Sequence, residues 1–252
     1  MLKKLFPVTL LLTILTLHSC SEKAPLKDVF YLNNESAEGH GKRVVFDFDG
    51  MLAQDSSFSQ EYAFCRQQQL EGSKCYFAVM PEENYVGFCN GNPAIRLFQH
   101  QQYLPSGIDL PARPKVALGE FSQQEFCNVC GGLQVLLKGD ATVTALRFTD
   151  NDSIDRLWGN YVVRHIGKED QQLLALSSSE GDNEVWLDCS EGVALSNDTA
   201  TVFTVMLPPG AFYRGFAMDV FGGDSLLYHI ATDQAFSVDR DKMIKMSAIE
   251  IP

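Results

Sequence analysis

The stretch Phe126–Phe148, FCNVCGGLQVLLKGDATVTALRF, decides the fold class of this 252-residue chain. Leu133, Val135 and Leu137 alternate with Gln134, Leu136 and Lys138, the period-two pattern of a half-buried strand. Gly139-Asp140 predicts a tight turn, because glycine takes positive φ without a Cβ clash. Val143, Ala145 and Phe148 continue in a second strand rich in Thr and Val. Just upstream, Gly131-Gly132 separates two stretches of different character.

The chain on either side has the same style. No window sustains an i, i+3, i+4 apolar pattern, and short apolar runs are broken by Gly, Pro, Asn and Asp about every ten residues. Asp28–Leu32 is strand-like, and Val44–Phe48 and Cys75–Met80 follow, the latter closed by Pro81. Val86–Cys89 and Ala94–Phe98 flank the turn Asn90-Gly91-Asn92-Pro93, a hairpin signal. Gln99–Tyr103 reads as a polar exit, with His100 a solvated or turn histidine and no metal assigned to it. Further strands are expected at Lys115–Gly119, Leu157–His165, Leu173–Leu176, Glu184–Cys189, Thr201–Leu207, Ser225–Ala231 and Met243–Ile251. Pro208-Pro209-Gly210 stops Thr201–Leu207, and Arg214–Val220 is expected as the opposed strand. In Glu184–Cys189, Val185, Leu187 and Cys189 should point inward and Trp186 outward. With 17 Phe, 8 Tyr and 2 Trp there is apolar area for real cores. The class is all-β, of β-sandwich type.

Met1–Ser19 reads as an export signal. Lys3 and Lys4 precede the apolar run Val8–Leu17, which is short of the roughly 20 residues of a membrane span. Leu17-His18-Ser19-Cys20 resembles a bacterial lipobox, with His18 departing from its usual small residue. The resemblance implies cleavage before Cys20 and acylation of its thiol (palmitate among the acyl chains); the competing reading is an ordinary secretory signal in which Cys20 is incidental. Removing residues 1–19 takes Lys3 and Lys4 and moves the formal charge from −12 to −14. That balance argues against nucleic acid and against a polybasic membrane patch. Residues 20–43 form a polar tether, and Lys42-Arg43 is either a solvated strand start or a protease site that detaches residues 20–43.

Val44–Phe46 followed by Asp47-Phe48-Asp49-Gly50 resembles the first motif of haloacid-dehalogenase-type phosphatases. In that reading Asp47 is the nucleophile, Asp49 the general acid and base, and Mg²⁺ the cofactor. Met51 departs from the motif, and no crossover helices for a parallel sheet are readable. The competing reading is a strand ending in an Asp-Gly turn, and the chain is expected to be non-enzymatic and to need no cofactor. Cys20 apart, Cys65, Cys75, Cys89, Cys127, Cys130 and Cys189 are an even number in an exported protein. They read as structural disulfides or buried thiols, of undetermined pairing. Cys127-Asn128-Val129-Cys130 has redox-motif spacing but lies in a β-segment rather than at a helix N-terminus.

The ordered series of pieces resembles the fimbrillin-like (type V pilin) family of Bacteroidales lipoproteins, whose members carry a cell-adhesion label. The pieces are Tyr76–Pro81, Phe126–Gly139, Val143–Leu146, Leu157–Gly159, Leu187–Ser196, Val205–Gly210, Arg214–Val220 and Asp239–Met246. The resemblance implies two tandem transthyretin-like β-sandwich domains, at 44–125 and 126–252. It also implies a lipid-anchored protein exported to the outer membrane or cell surface and, in the pilin branch, cleavage near Arg43, loss of a first strand (Asp28–Leu32 here), and acceptance of a strand from a neighbouring pilin subunit. Expected partners are the membrane through Cys20, and pilin subunits or a host or bacterial surface ligand. A glycan-binding surface lipoprotein is the alternative, with Trp158, Trp186 and Tyr213 as its candidate aromatics.

Overall fold

The computed structural model describes residues 29–31, 62–70, 73–89, 92–105, 107–119, 126–152, 156–176 and 180–252. Cys20, Arg43, Asp47 and Asp49 lie outside them. The regular structure among the described residues is strand, apart from one short 3-10 turn at Glu82–Asn84. In chain order the strands are β1 Val29–Tyr31, β2 Tyr62–Leu70, β3 Ser73–Met80, β4 Tyr85–Cys89, β5 Asn92–Leu97, β6 His100–Gln102, β7 Lys115–Gly119, β8 Cys127–Asn128 and β9 Gly131–Gly139. They continue as β10 Thr142–Asp150, β11 Gly159–Arg164, β12 Gln172–Ala175, β13 Glu184–Ala194, β14 Thr201–Leu207, β15 Gly210–Phe212, β16 Phe216–Gly222, β17 Ser225–Thr232, β18 Phe236–Val238 and β19 Met243–Ile251.

Their hydrogen-bonded orders are β1-β2-β3-β7-β8, β17-β16-β10-β13-β6, β12-β11-β5-β4, β14-β9-β19 and β15-β18. Alternation dictates what each sheet buries. Leu133, Val135 and Leu137 of β9, with Phe203, Val205 and Leu207 of β14, meet Leu146, Phe148, Val185, Leu187, Met218 and Val220 in one core. That core lies between the three-stranded sheet and the β17-to-β6 sheet. The Val185, Leu187, Cys189 face of β13 is buried, as the alternation requires. A second core joins Phe77, Val79 and Val116 to Ile95, Leu97, Tyr161 and Val163.

The stretch from Phe126 to Phe148 holds the short β8 and the long strands β9 and β10, and β9 and β10 do not pair. β9 bonds to β14 and β19, whereas β10 bonds to β13 and β16. Gly139-Asp140 therefore carries the chain from one layer of the sandwich to the other instead of closing a hairpin. Period-two alternation reports which face is buried and says nothing about whether the next strand lies beside or across. Gly139 has φ 145°, and a Cβ there would stand 2.3 Å from the Ile251 carbonyl oxygen.

Two other expectations are corrected. β14 and β16 are not opposed; the chain between them forms β15, which pairs with β18. Strands of three residues are too short to show a period. The polar exit at Gln99–Tyr103 contains β6, which lies parallel to β13. Its sequence looked polar because two of its three side chains face solvent and the third, Gln101, is buried for its hydrogen bonds. Gln101 is 3% exposed. Its Nε2 donates to the Met206 carbonyl at 2.7 Å, and its Oε1 accepts the Met206 N–H at 2.9 Å. One side-chain amide thus completes the backbone bonding of β14 and ties it to β6.

Strands exchange across residues 125 and 126 in both directions. β11 and β12 extend the sheet of β5 and β4, while β6 extends the sheet of β13. Val129, Cys130, Tyr161, Val163 and Met206 all contribute to the second core. Gly131 and Gly132 mark the crossing from that core into the first. A Cβ on Gly131 would lie 2.1 Å from the Asp239 carbonyl oxygen, and one on Gly132 would lie 2.7 Å from Met243 Sδ.

Candidate functional site

The outer face of the β17-to-β6 sheet carries an in-register row of His229, Asp219, Arg147, Trp186 and His100. Adjacent strands stand about 4.8 Å apart, so such neighbours touch. His229 Nδ1 lies 2.6 Å from Asp219 Oδ1, and Arg147 Nη2 donates to Asp219 Oδ2 at 2.5 Å. His100 Nδ1 lies 2.9 Å from Asp188 Oδ2. Burial pushes the Asp219 carboxyl up, but the hydrogen bonds and charges of His229 and Arg147 outweigh it and leave it below its ordinary value.

Trp186 sits inside this row. On the β6 side the His100 ring is stacked at 6.2 Å and 9°. On the β10 side the Arg147 guanidinium lies 5.4 Å from the indole centroid, and Phe221 reaches it at 5.4 Å. Phe221 gains that reach because its register partner on β10 is the small Ala145. The indole N–H donates to Glu184 Oε1 at 3.2 Å. The indole therefore has neighbours on both flanks, and the arrangement joins four strands laterally. Trp158 is half-buried against the larger core, with its indole nitrogen buried.

Tyr213 is different: it is 73% exposed. It stands at the rim of a cleft of about 360 Å³ whose walls include Arg156, Tyr161, Leu173, Pro208 and Pro209. Arg156 Nη1 donates to the Leu176 carbonyl at 3.2 Å, and the Tyr161 hydroxyl donates to the Arg156 carbonyl at 2.5 Å. The sequence singled out Tyr213 as an aromatic, but the cleft joins residues 156–175 to 208–213 and has no local signature.

Cys89, Cys130 and Cys189 are free thiols, and Cys127 is half-buried in β8. Burial pushes Cys130 up to about 12 against the pull of Arg113, and burial with the charge of Asp188 pushes Cys189 up to about 12. Neither is a reactive thiolate at neutral pH. Cys65 faces Ala78 in register and Cys75 faces Gln68. Among the described residues no group of three or more His, Cys, Asp or Glu is placed to hold a metal. No helix among them is long and apolar enough to cross a membrane.

No protein-family model matches the chain, and no curated protein matches it. Among solved structures, one from Bacteroides ovatus, described as a "putative cell adhesion protein", is similar over 82% of this chain and 72% of its own length. Its TM-score is 0.44, and the two are 11% identical.

Proposed function

We propose that this chain is a non-enzymatic, lipid-anchored adhesion protein of the bacterial surface, of the fimbrillin-like kind, whose first strand is replaceable. Residues 1–19 and Cys20 support export and acylation, and the ordered series from Tyr76 to Met246 supports the family reading. The observation that carries strand replacement is the position of β1. Among the described residues it bonds only to β2, at the end of the β1-β2-β3-β7-β8 sheet. Three residues against a nine-residue neighbour hold weakly. Their loss would expose a row of unpaired backbone groups on β2, which a strand from another subunit would satisfy.

The test is limited trypsin digestion of residues 21–252, followed by intact mass and size-exclusion chromatography. A cut after Arg43 followed by a ladder of oligomers is expected. A chain that is cut there and stays monomeric refutes strand replacement.

A further inference from the structure

We infer that the cleft at Tyr213 binds a neutral hexopyranose, which gives the adhesion reading above its ligand class and rests on that reading. The argument begins with how the turn is held. Gly215 N–H donates to the Phe212 carbonyl at 3.3 Å, which closes a β-turn with Tyr213 at its first corner. Gly215 has φ 69°, and a Cβ there would lie 2.1 Å from the Thr232 carbonyl oxygen. Phe212 is stacked on Phe236 at 4.5 Å and meets Phe148 edge-on at 5.9 Å. Asn151 Nδ2 donates to the Arg214 carbonyl at 2.9 Å. The residues on both sides of Tyr213 are therefore fixed, while its own ring is left in water. Corner positions of turns favour Pro and small polar residues, so turn chemistry does not call for a phenol ring here.

The rest of the cleft selects among ligands. Its volume of about 360 Å³ is at the small end for ligand sites, which suits one ring rather than an extended chain. Pro208 and Pro209 have no N–H, so their backbone can only accept hydrogen bonds. The guanidinium of Arg156 can only donate. A ligand spanning these walls must both donate and accept, and it must lay an apolar face on an aromatic ring. The hydroxyls and C–H face of a pyranose do both. A formal charge of −14 on the mature chain opposes the approach of anionic sugars.

The test uses residues 21–252 with methyl glucoside, galactoside and mannoside in saturation-transfer NMR. It adds an array of neutral and sialylated glycans. Transfer to at least one methyl hexoside is expected. Tyr213→Ala should weaken binding about tenfold or more while Tyr213→Phe retains it, with urea midpoints unchanged because the ring is exposed. Binding of none of the hexosides, binding of sialylated glycans alone, or binding indifferent to Tyr213→Ala overturns the inference. A protein that ladders after trypsin yet binds no hexoside refutes this site alone. One that binds a hexoside yet stays monomeric after the cut refutes strand replacement alone.

Discussion

Replacing Gln101 by Met tests how β14 is held. The side chain is buried, and its amide makes two hydrogen bonds to one residue, at 2.7 and 2.9 Å. Methionine is close to glutamine in length and shape, so the cavity term is small. What remains is the Met206 N–H and carbonyl left without partners, each costing about 1–3 kcal/mol. The expected loss is thus about 2–6 kcal/mol, against a typical total of about 5–15 kcal/mol. Urea denaturation followed by fluorescence should show a lower midpoint with an unchanged slope. Gln101→Glu adds a second signature. Its carboxylate would face the Met206 carbonyl at neutral pH, and its protonated form would regain an O–H donor. Its folded pKa would be raised above the usual ~4.3, so the loss relative to the parent protein is small below that value and grows as pH rises. A Gln101→Met loss below about 1 kcal/mol would mean that water serves Met206 equally well, and would refute the clip.

The two glycines at the crossing should respond unequally. Gly131→Ala drives a Cβ against a backbone oxygen and should cost more than about 3 kcal/mol. Gly132→Ala meets mainly the flexible ends of Met243 and Met206 and should cost distinctly less, as compared by urea unfolding; equal costs would contradict the geometry. Asp219→Asn should cost about 1–3 kcal/mol near pH 7, through lost charge-assisted bonds to Arg147 and His229. Because the folded Asp219 carboxyl lies below its ordinary value, its contribution stands at pH above about 3.8 and is lost as pH falls through the folded value. The gap between parent and variant should therefore close in acid, and a gap independent of pH down to about 2 would contradict the reading.

Most strands were legible because alternation is a local signal: Leu133 to Leu137, Val185 to Cys189 and Thr201 to Leu207 each declare a buried face. Pairing was legible at the β4–β5 hairpin but not at the turn after β9. Gly139-Asp140 reads the same whether the next strand lies beside its neighbour or across the core from it. Only the partners of β9 (β14 and β19) and of β10 (β13 and β16) show which. β6 was missed because Gln101 is a polar residue buried for its hydrogen bonds, and hydropathy counts such a residue as surface. The exposure of Tyr213 was open to suspicion from its turn context. Its cleft was not, since the walls come from segments some 40 residues apart.

The sharing of core residues across the chain sets a schedule. A polypeptide is synthesised from its N-terminus, yet the core around Phe77 and Ile95 waits for Tyr161, Val163 and finally Met206. The larger core waits longer still, because β9 gains its parallel neighbour β19 only after more than a hundred further residues have arrived. Neither core can close early, and contacts so distant in sequence form slowly. The chain must therefore remain open, with Phe and Leu surfaces uncovered, for nearly the whole of its synthesis. The strand order itself thus sets how long those surfaces stand open to aggregation.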